Sequence, residues 1–188
     1  MLKNALHFSH DLLKKVIVPG DSVVDATVGN GGDTVLLAQL VGETGAVFGF
    51  DIQEEALKRT KEKLLLTGLL DRVRLFNTSH ENANKNIPAN VSLSAAVFNL
   101  GYLPSGNKEV TTTSTSTLKA IEELLPRLKI GGILLVMVYW GHPEGSVEKE
   151  SLLDWLPQLS QKEFDVLQYQ FINQKNAPPF LLVIEKKK

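Results

Sequence analysis

Two features of the sequence have the residue types of a site for an adenosine cofactor. The stretch VVDATVGNGGDT (23–34) is a β-branched run that leads into a glycine turn, where the backbone can bend sharply and approach a ligand with no Cβ in the way. Asp51 ends a second apolar run, GAVFGFD (45–51). A carboxylate at that place can accept hydrogen bonds from both hydroxyls of a ribose. Together the two features predict an adenosine-binding crevice.

The glycine turn differs from the turn that binds dinucleotides. Its pattern, G-N-G-G-D, lacks the third glycine of G-x-G-x-x-G. Asp25 and Asp33 would bring negative charge beside a pyrophosphate, whereas the same carboxylates suit the sulfonium and ammonium groups of S-adenosylmethionine. We therefore expect S-adenosylmethionine, the alternative being a strand–helix turn without a ligand. The candidate cofactor-binding residues of these two features are Asp25, Gly29, Gly31, Asp33, Thr34 and Asp51.

A polar residue also ends a later apolar run. The segment VFNLGYLP (97–104) places Asn99 at the end of a strand, with Tyr102 just beyond it. An amide oxygen is an acceptor that can hold a substrate N–H, and an aromatic ring can stack on a flat substrate. Methyl transfer from a sulfonium is an in-line displacement, in which positioning supplies much of the catalysis. We predict that Asn99 and Tyr102 are catalytic and that Asn99 also contacts the cofactor; a plain strand-end turn is the alternative.

His142, in the segment YWGHPEG, is the third catalytic candidate. A substrate ammonium must lose a proton before it can attack, and histidine side chains titrate near neutral pH. The alternatives are a hydrogen bond to an RNA phosphate and a simple turn before Pro143. Tyr139 and Trp140 alternate along the preceding strand, so we expect at most one of them to face the crevice.

The remaining histidines and lysines have simpler interpretations. His7 and His10 lie three positions apart on one helical face, where capping or packing is favoured over a role in the crevice. The four histidines lack the spacing of metal ligands, so we expect no metal. The basic residues within 58–63 are expected to form a solvent-exposed helix face.

The elements that must position these residues alternate along the chain. Apolar runs predict strands at residues 22–26, 45–51, 72–77, 93–100 and 133–140. Helical spacing predicts helices at the N-terminus and at residues 33–41, 54–67, 115–128 and 147–156, with a turn at 129–132. The terminal segment 164–187 predicts an antiparallel hairpin. The expected fold class is α/β: a twisted, mostly parallel sheet of about seven strands with helices on both faces, whose strand ends gather the candidate residues at one edge.

Length and composition limit the possible functions. The chain has 188 residues and 43% hydrophobic content, as expected of one folded domain over 1–188 in which 1–20 form an N-terminal helix and turn. It has no cysteine, which excludes thiolate chemistry and suits a reducing compartment. Its net charge of −1 is unusual for a dedicated nucleic-acid module, so an RNA partner would need a local patch or a surface shared across a homodimer. Without a signal-peptide pattern or a long apolar run, we expect a cytoplasmic protein with no membrane segment.

The sequence also resembles a known family. The resemblance rests on five segments, DATVGNGGDT, FDIQ, FNLGYLP, VYWGHPEG and FINQKNAPPFLLVIEK, which together are similar to small bacterial proteins named as rRNA methylases. That family is associated with methylating the aminomethyl group of 5-aminomethyl-2-thiouridine at the tRNA wobble position. The resemblance implies a single-domain, Rossmann-like class I methyltransferase fold, S-adenosylmethionine as donor with S-adenosylhomocysteine as product, and the tRNA anticodon stem-loop as partner. It also implies donor binding by Asn30, Asp51, Gln53, Ser79 and His80.

Two other functions stay open from the residues alone. A methyltransferase of a small-molecule amine would need no basic surface. A non-catalytic protein that binds an adenosine cofactor would keep the crevice and have no turnover. Replacing Asn99 distinguishes the binder from an enzyme, because an enzyme should lose turnover and keep its affinity for the donor.

Overall fold

The computed structural model describes residues 1–100 and 112–188. Over these residues the strands are Ser22–Asp25 (β1), Ala46–Asp51 (β2), Val73–Asn77 (β3), Leu93–Asn99 (β4), Leu128–Val138 (β5), Phe164–Tyr169 (β6) and Phe180–Lys186 (β7). The α-helices are Ala5–Val16 (α1), Gly32–Leu40 (α2), Glu54–Leu66 (α3), Ala83–Asn86 (α4), Ser114–Leu124 (α5) and Pro143–Trp155 (α6).

The seven strands form one sheet in the order β3-β2-β1-β4-β5-β7-β6. Strands β1 to β5 pair in parallel, whereas β7 pairs antiparallel with both β5 and β6. The predicted mostly parallel sheet with a terminal antiparallel hairpin is therefore confirmed. The chain runs outward from β1 to β3 and then returns to place β4 on the other side of β1, so a crevice opens at the carboxyl ends of β1 and β4.

Alternating side chains of the strands belong to two hydrophobic clusters, one on each face of the sheet. Val23 on β1 belongs to one cluster and Val24 to the other, because successive strand side chains point to opposite faces. Helices α1 to α3 cover the face of Val23, with Leu13, Leu37 and Leu64 buried there. The opposite face is covered by α4 to α6, which contribute buried residues to the second cluster.

The N-terminal helix is fastened to the last strands of the sheet. The ring of Phe8 stacks on the ring of Tyr169 with centroids 4.2 Å apart, and the Tyr169 hydroxyl donates to the carbonyl of Lys3 at 2.6 Å. Helix α1 begins where the Asn4 side chain accepts the backbone N–H of His7 at 2.9 Å, the ordinary role of an N-cap residue. This packing brings one side of α1 to the crevice.

Two predicted boundaries near β5 are wrong. The predicted turn at 129–132 lies within β5, where the pairing with β4 shifts register between Leu93 and Ala95. Gly131 lies in this irregular part of β5 with a φ of +74°. A glycine within an irregular strand and a glycine within a turn look the same in a sequence. Helix α6 begins at Pro143 rather than at 147, because proline has no N–H to lose at the first helical position.

Candidate functional site

A cavity of about 840 Å³ opens at the carboxyl ends of the parallel strands. It lies at the reversal of strand order, where the sequence predicted it. Nine of the candidate residues line it: Gly29, Asn30, Asp33, Asp51, Gln53, Ser79, His80, Asn99 and His142. Three other candidates, Asp25, Gly31 and Thr34, do not line it, and Tyr102 lies outside the described residues.

The glycine turn at residues 29–32 forms a loop after β1, the glycine loop. Asp51 connects this loop to the loop that follows β2. One carboxylate oxygen accepts the backbone N–H of Gly29 at 2.8 Å, and the other accepts that of Gln53 at 2.9 Å. A carboxylate offers about four acceptor positions, so Asp51 keeps capacity for further donors. The side chain that suits a ribose is therefore held rigidly against the loop by two backbone groups.

Gly31 shapes the glycine loop from behind. Its φ of +73° is in the left-handed region, and a Cβ built on it would lie 2.5 Å from the hydroxyl oxygen of Thr60 on α3. Thr60 also donates to the Gly29 carbonyl at 3.3 Å. Only glycine meets both demands without strain, so Gly31 sets the shape of the loop and does not itself reach the cavity.

Lys63 on α3 also supports this loop. Its ammonium donates to the carbonyl of Asn30 at 2.6 Å. The sequence predicted a merely solvent-exposed helix face here. Lys63 is exposed, as predicted, and the glycine turn folds back over α3 so that a backbone carbonyl also lies within its reach.

Asp25 lies beneath the loop and is fully buried. Its carboxylate accepts the hydroxyl of Thr34 at 2.6 Å and the backbone N–H of Thr27 at 3.2 Å. Burial, with a smaller contribution from the charge of Asp33, raises the pKa of Asp25 to about 7, against the hydrogen bond from Thr34. The hydrogen bond between Asp25 and Thr34 joins the end of β1 to the start of α2 beneath the cavity. Neither side chain lines the cavity, whereas the sequence predicted that both contact a cofactor.

Asn99 is fixed in one orientation by Asp33. The side-chain nitrogen of Asn99 donates to one carboxylate oxygen of Asp33, and its backbone N–H donates to the Thr27 hydroxyl at 2.7 Å. A carboxylate only accepts, so the NH₂ of the amide must face Asp33 and the amide oxygen Oδ1 remains an acceptor. The structure thus presents the acceptor that the sequence predicted at the end of β4.

His10 completes this cluster from the N-terminal helix. Its Nε2 lies 2.8 Å from the other carboxylate oxygen of Asp33, and both His10 and Leu6, one helical turn earlier, line the cavity. The sequence favoured capping or packing for His10, and that interpretation is wrong. Its helical spacing from Leu6 was the available signal, but only the packing of α1 shows that this face meets the cavity.

His80 is buried beside the cavity and remains neutral. Desolvation lowers its pKa to about 4, against an opposing hydrogen bond with the Ala26 backbone. Its ring meets the ring of Phe98 edge-on, with centroids 5.6 Å apart. Ser79, the residue before it, accepts the N–H of Glu81 at 3.4 Å. The pair therefore offers uncharged polar groups, which suit a neutral heterocycle better than a charged one.

Tyr139 and Trp140 both line the cavity, so the prediction that at most one faces it is wrong. β5 ends at Val138, and strand alternation ends with it. The Trp140 indole donates to the Pro178 carbonyl at 2.9 Å and lies 4.2 Å from the Lys149 ammonium. Burial raises the pKa of Tyr139, and the charge of Asp33 adds to that effect.

A buried carboxylate lies behind the His142 side of the cavity. Glu148 on α6 is 2% exposed and accepts the hydroxyls of Thr112 at 2.7 Å and Thr117 at 2.6 Å. Desolvation raises the pKa of Glu148, while these hydrogen bonds and the charge of His142 oppose the rise. No sequence pattern indicated this buried carboxylate, since a glutamate within a polar helix ordinarily faces solvent.

Residues 1–100 and 112–188 contain no group of three or more His, Cys, Asp or Glu side chains that could hold a metal ion. No helix in this described part of the chain combines the length and the hydropathy of a membrane span.

Comparison with known proteins defines the family. A family model described as "Putative rRNA methylase" matches residues 47–185. The chain belongs to this family. The resemblance predicted from the five segments is therefore confirmed, and the protein is an S-adenosylmethionine-dependent methyltransferase with the class I fold.

Three relatives cover nearly the whole chain. The Arabidopsis thaliana "tRNA (mnm(5)s(2)U34)-methyltransferase, chloroplastic" is 34% identical over 192 residues, which span 98% of this chain and 70% of the relative. A crystal structure described as a "putative rRNA-methylase" from Clostridium thermocellum has a TM-score of 0.96 at 47% identity, covering 99% of both chains. A "putative methyltransferase" from Streptococcus mutans, solved in complex with SAH, has a TM-score of 0.90 at 44% identity, again covering 99% of both chains.

The residues of the cavity fit the donor that this family uses. The glycine loop leaves backbone exposed beside Asp51, an anchored carboxylate with spare acceptor positions. Asp33 adds negative charge at the other side of the loop, where a sulfonium and an ammonium are favoured. The neutral His80 lies further along the same cavity.

Proposed function

We propose that the protein methylates an amine nitrogen on tRNA, and that the target is the aminomethyl group of 5-aminomethyl-2-thiouridine at the wobble position. The observation that carries the proposal is the fixed amide of Asn99, whose Oδ1 is left as an acceptor at the end of β4. The name of the Arabidopsis relative, a tRNA (mnm(5)s(2)U34)-methyltransferase, supports this nucleoside.

The donor half of the site is assigned to the strand ends β1 to β3. In this assignment Asp51 accepts hydrogen bonds from the ribose hydroxyls, and Asn30 and Gln53 lie beside the adenosine. Ser79 and His80 contact the adenine. All five residues line the cavity. When bound, S-adenosylmethionine supplies an electrophilic methyl group on its sulfonium. The protein supplies a rigid loop, because the backbone N–H groups of Gly29 and Gln53 hold the Asp51 carboxylate in place.

The acceptor half is assigned to β4, β5 and α1. The Asn99 oxygen accepts an N–H of the substrate amine and aims its lone pair along the line of transfer. Positive charge builds up on that nitrogen as the methyl group arrives, so the amide oxygen and the Asp33 carboxylate stabilise it. Tyr139, which is 41% exposed, offers a flat face for an unpaired base. Tyr102 and His142 remain predicted members of this half.

The partner that we propose is the anticodon stem-loop of tRNA, where a wobble base can be turned out into the cavity. With a net charge of −1, a single copy has no overall electrostatic attraction to a polyanion. We therefore propose a homodimer that presents a wider surface, with the terminal hairpin or an adjacent helix at the interface, acting in the cytoplasm.

The deciding experiment supplies methyl-labelled donor with three acceptor pools: bulk tRNA from cells that lack this gene, rRNA from the same cells, and an amine-rich metabolite extract. Nucleoside mass spectrometry is expected to show 5-methylaminomethyl-2-thiouridine gaining label while the aminomethyl nucleoside disappears. Label in rRNA alone would contradict the tRNA assignment.

The same experiment addresses a second candidate, a methyltransferase of a small-molecule amine. The near-neutral charge of the chain favours this candidate, because such a substrate requires no basic surface. Label confined to the metabolite pool would establish it. A non-catalytic role is set aside, since the family is one of methyltransferases.

A further inference from the structure

The Asn99 amide takes its orientation from a carboxylate that is itself bound on two sides. One oxygen of Asp33 accepts the side-chain NH₂ of Asn99, and the other lies 2.8 Å from Nε2 of His10. The terminal torsion of an aspartate is broad, so a carboxylate bound at one oxygen only can turn. Bonds at both oxygens fix its plane, and with it the plane of the amide that it binds.

His10 supplies the second of these bonds. A carboxylate only accepts, so Nε2 of His10 carries a hydrogen and donates it to Asp33. The side chains of His10 and Asp33 are 28% and 14% exposed, so water competes less for this bond than it does at the protein surface. Holding Asp33 needs only this N–H, which the ring offers whether it is neutral or charged.

The rest of α1 is anchored without the help of His10. The ring of Phe8 stacks on that of Tyr169, and the Tyr169 hydroxyl donates to the Lys3 carbonyl. Leu13, one turn further along α1, is fully buried in the core. Replacing His10 should therefore leave the helix docked, which allows its bond to Asp33 to be tested separately from the fold.

We propose that His10 is a positioning residue, which acts through Asp33 to hold the Asn99 amide in the orientation that receives the substrate amine. This inference rests on the proposed function, in which the Asn99 oxygen accepts an N–H of that amine. Loss of the His10 N–H releases one side of Asp33, and the Asn99 oxygen then spends part of its time away from the line of transfer. The reaction is sensitive to such misplacement, because positioning supplies much of the catalysis.

The test compares His10→Leu with His10→Gln, each alone and combined with Asn99→Ala. Leucine removes the donor, whereas glutamine keeps an N–H at a similar reach without the imidazole. His7→Leu is the matched control and keeps the wild-type rate, because His7 is exposed on the same helix and bonds to Asn4 rather than to Asp33. Turnover is measured on purified tRNA that lacks the final methyl group, donor affinity by calorimetry, and stability by urea unfolding.

We expect His10→Leu to lower kcat about 10-fold to 100-fold, with donor affinity changed less than about twofold. His10→Gln should restore most of the lost rate. In the Asn99→Ala background His10→Leu should cost less than about twofold, because no amide is left to orient. A helix that was merely loosened would slow both backgrounds alike and would not be rescued by glutamine.

Three results would overturn the inference: equal rates of wild type and His10→Leu, a His10→Gln variant as slow as His10→Leu, or the same loss in both backgrounds. A wild type that binds donor and leaves this tRNA unmethylated would overturn the proposed function, and this inference with it. If His10→Leu does not fold, His10→Ala carries the same test.

Discussion

The side-chain amide of Asn99 donates to the carboxylate of Asp33, a residue 66 positions earlier in the chain. The bond joins the end of β4 to the first turn of α2. Because a carboxylate has no proton to give, it must bind the NH₂ end of the amide, which leaves the oxygen Oδ1 as an acceptor. A strand-end asparagine thereby becomes an oriented acceptor.

Asn99→Ala is expected to lower kcat about 10²-fold to 10³-fold, because one oriented group is lost where positive charge develops. Affinity for S-adenosylmethionine, measured by calorimetry, should change much less, since Asp51 and the glycine loop remain. Asn86→Ala, an exposed residue of α4 away from this cavity, is the control. Equal turnover in wild type and Asn99→Ala would rule out the assigned role.

Gly31→Ala is expected to destabilise the fold by roughly 2–4 kcal/mol, combining left-handed strain with a clash against Thr60. Gly68→Ala separates the two causes: Gly68 has φ +68° and nothing within 4 Å of its added Cβ, so only the strain of about 1 kcal/mol remains. Urea unfolding measures both variants. Thr60→Ala should partly rescue Gly31→Ala, and a lack of rescue would argue against the clash.

Asp25→Asn is expected to gain stability relative to wild type as the pH rises from about 4 to 7. In this range the unfolded Asp25 loses its proton while the folded residue, whose pKa is about 7, keeps it. Wild type therefore loses stability with rising pH by at most about 1.4 kcal/mol per unit, and asparagine has no such dependence. Urea midpoints at pH 5 and 8 measure the difference, and a constant gap between the two proteins would show that Asp25 ionises normally.

Lys63→Met is expected to weaken donor binding by up to about tenfold, because the ammonium no longer holds the Asn30 carbonyl. Methionine preserves much of the aliphatic stem, so packing changes little. Lys61→Met, two positions earlier on the same helix, is the matched control. Calorimetry measures the affinities, and equal values for the two variants would show that the loop keeps its shape without Lys63.

The sequence alone determined the sheet and the location of the site. Apolar runs that alternate with helical segments specify a mostly parallel sheet, and in such a sheet the strand ends share an edge. Asp51 and Asn99 end their strands at that edge, so their presence in one cavity follows from the pattern. The identity of the donor was also predicted from local chemistry. The glycine turn lacks the third glycine of the dinucleotide pattern, and Asp25 and Asp33 on either side of it favour a cationic donor.

Only the tertiary structure decided which side chains reach the cavity. Asp25 and Asp33 look equivalent in the sequence, yet Asp25 is buried under the floor and Asp33 contacts both Asn99 and His10. The two carboxylates differ because Asp25 ends β1 beneath the start of α2, whereas Asp33 lies in the first turn of α2 itself. His10 reaches the cavity because α1 docks on β4, β5 and β7. That contact joins segments far apart in the chain, and neither spacing nor residue type within α1 encodes it.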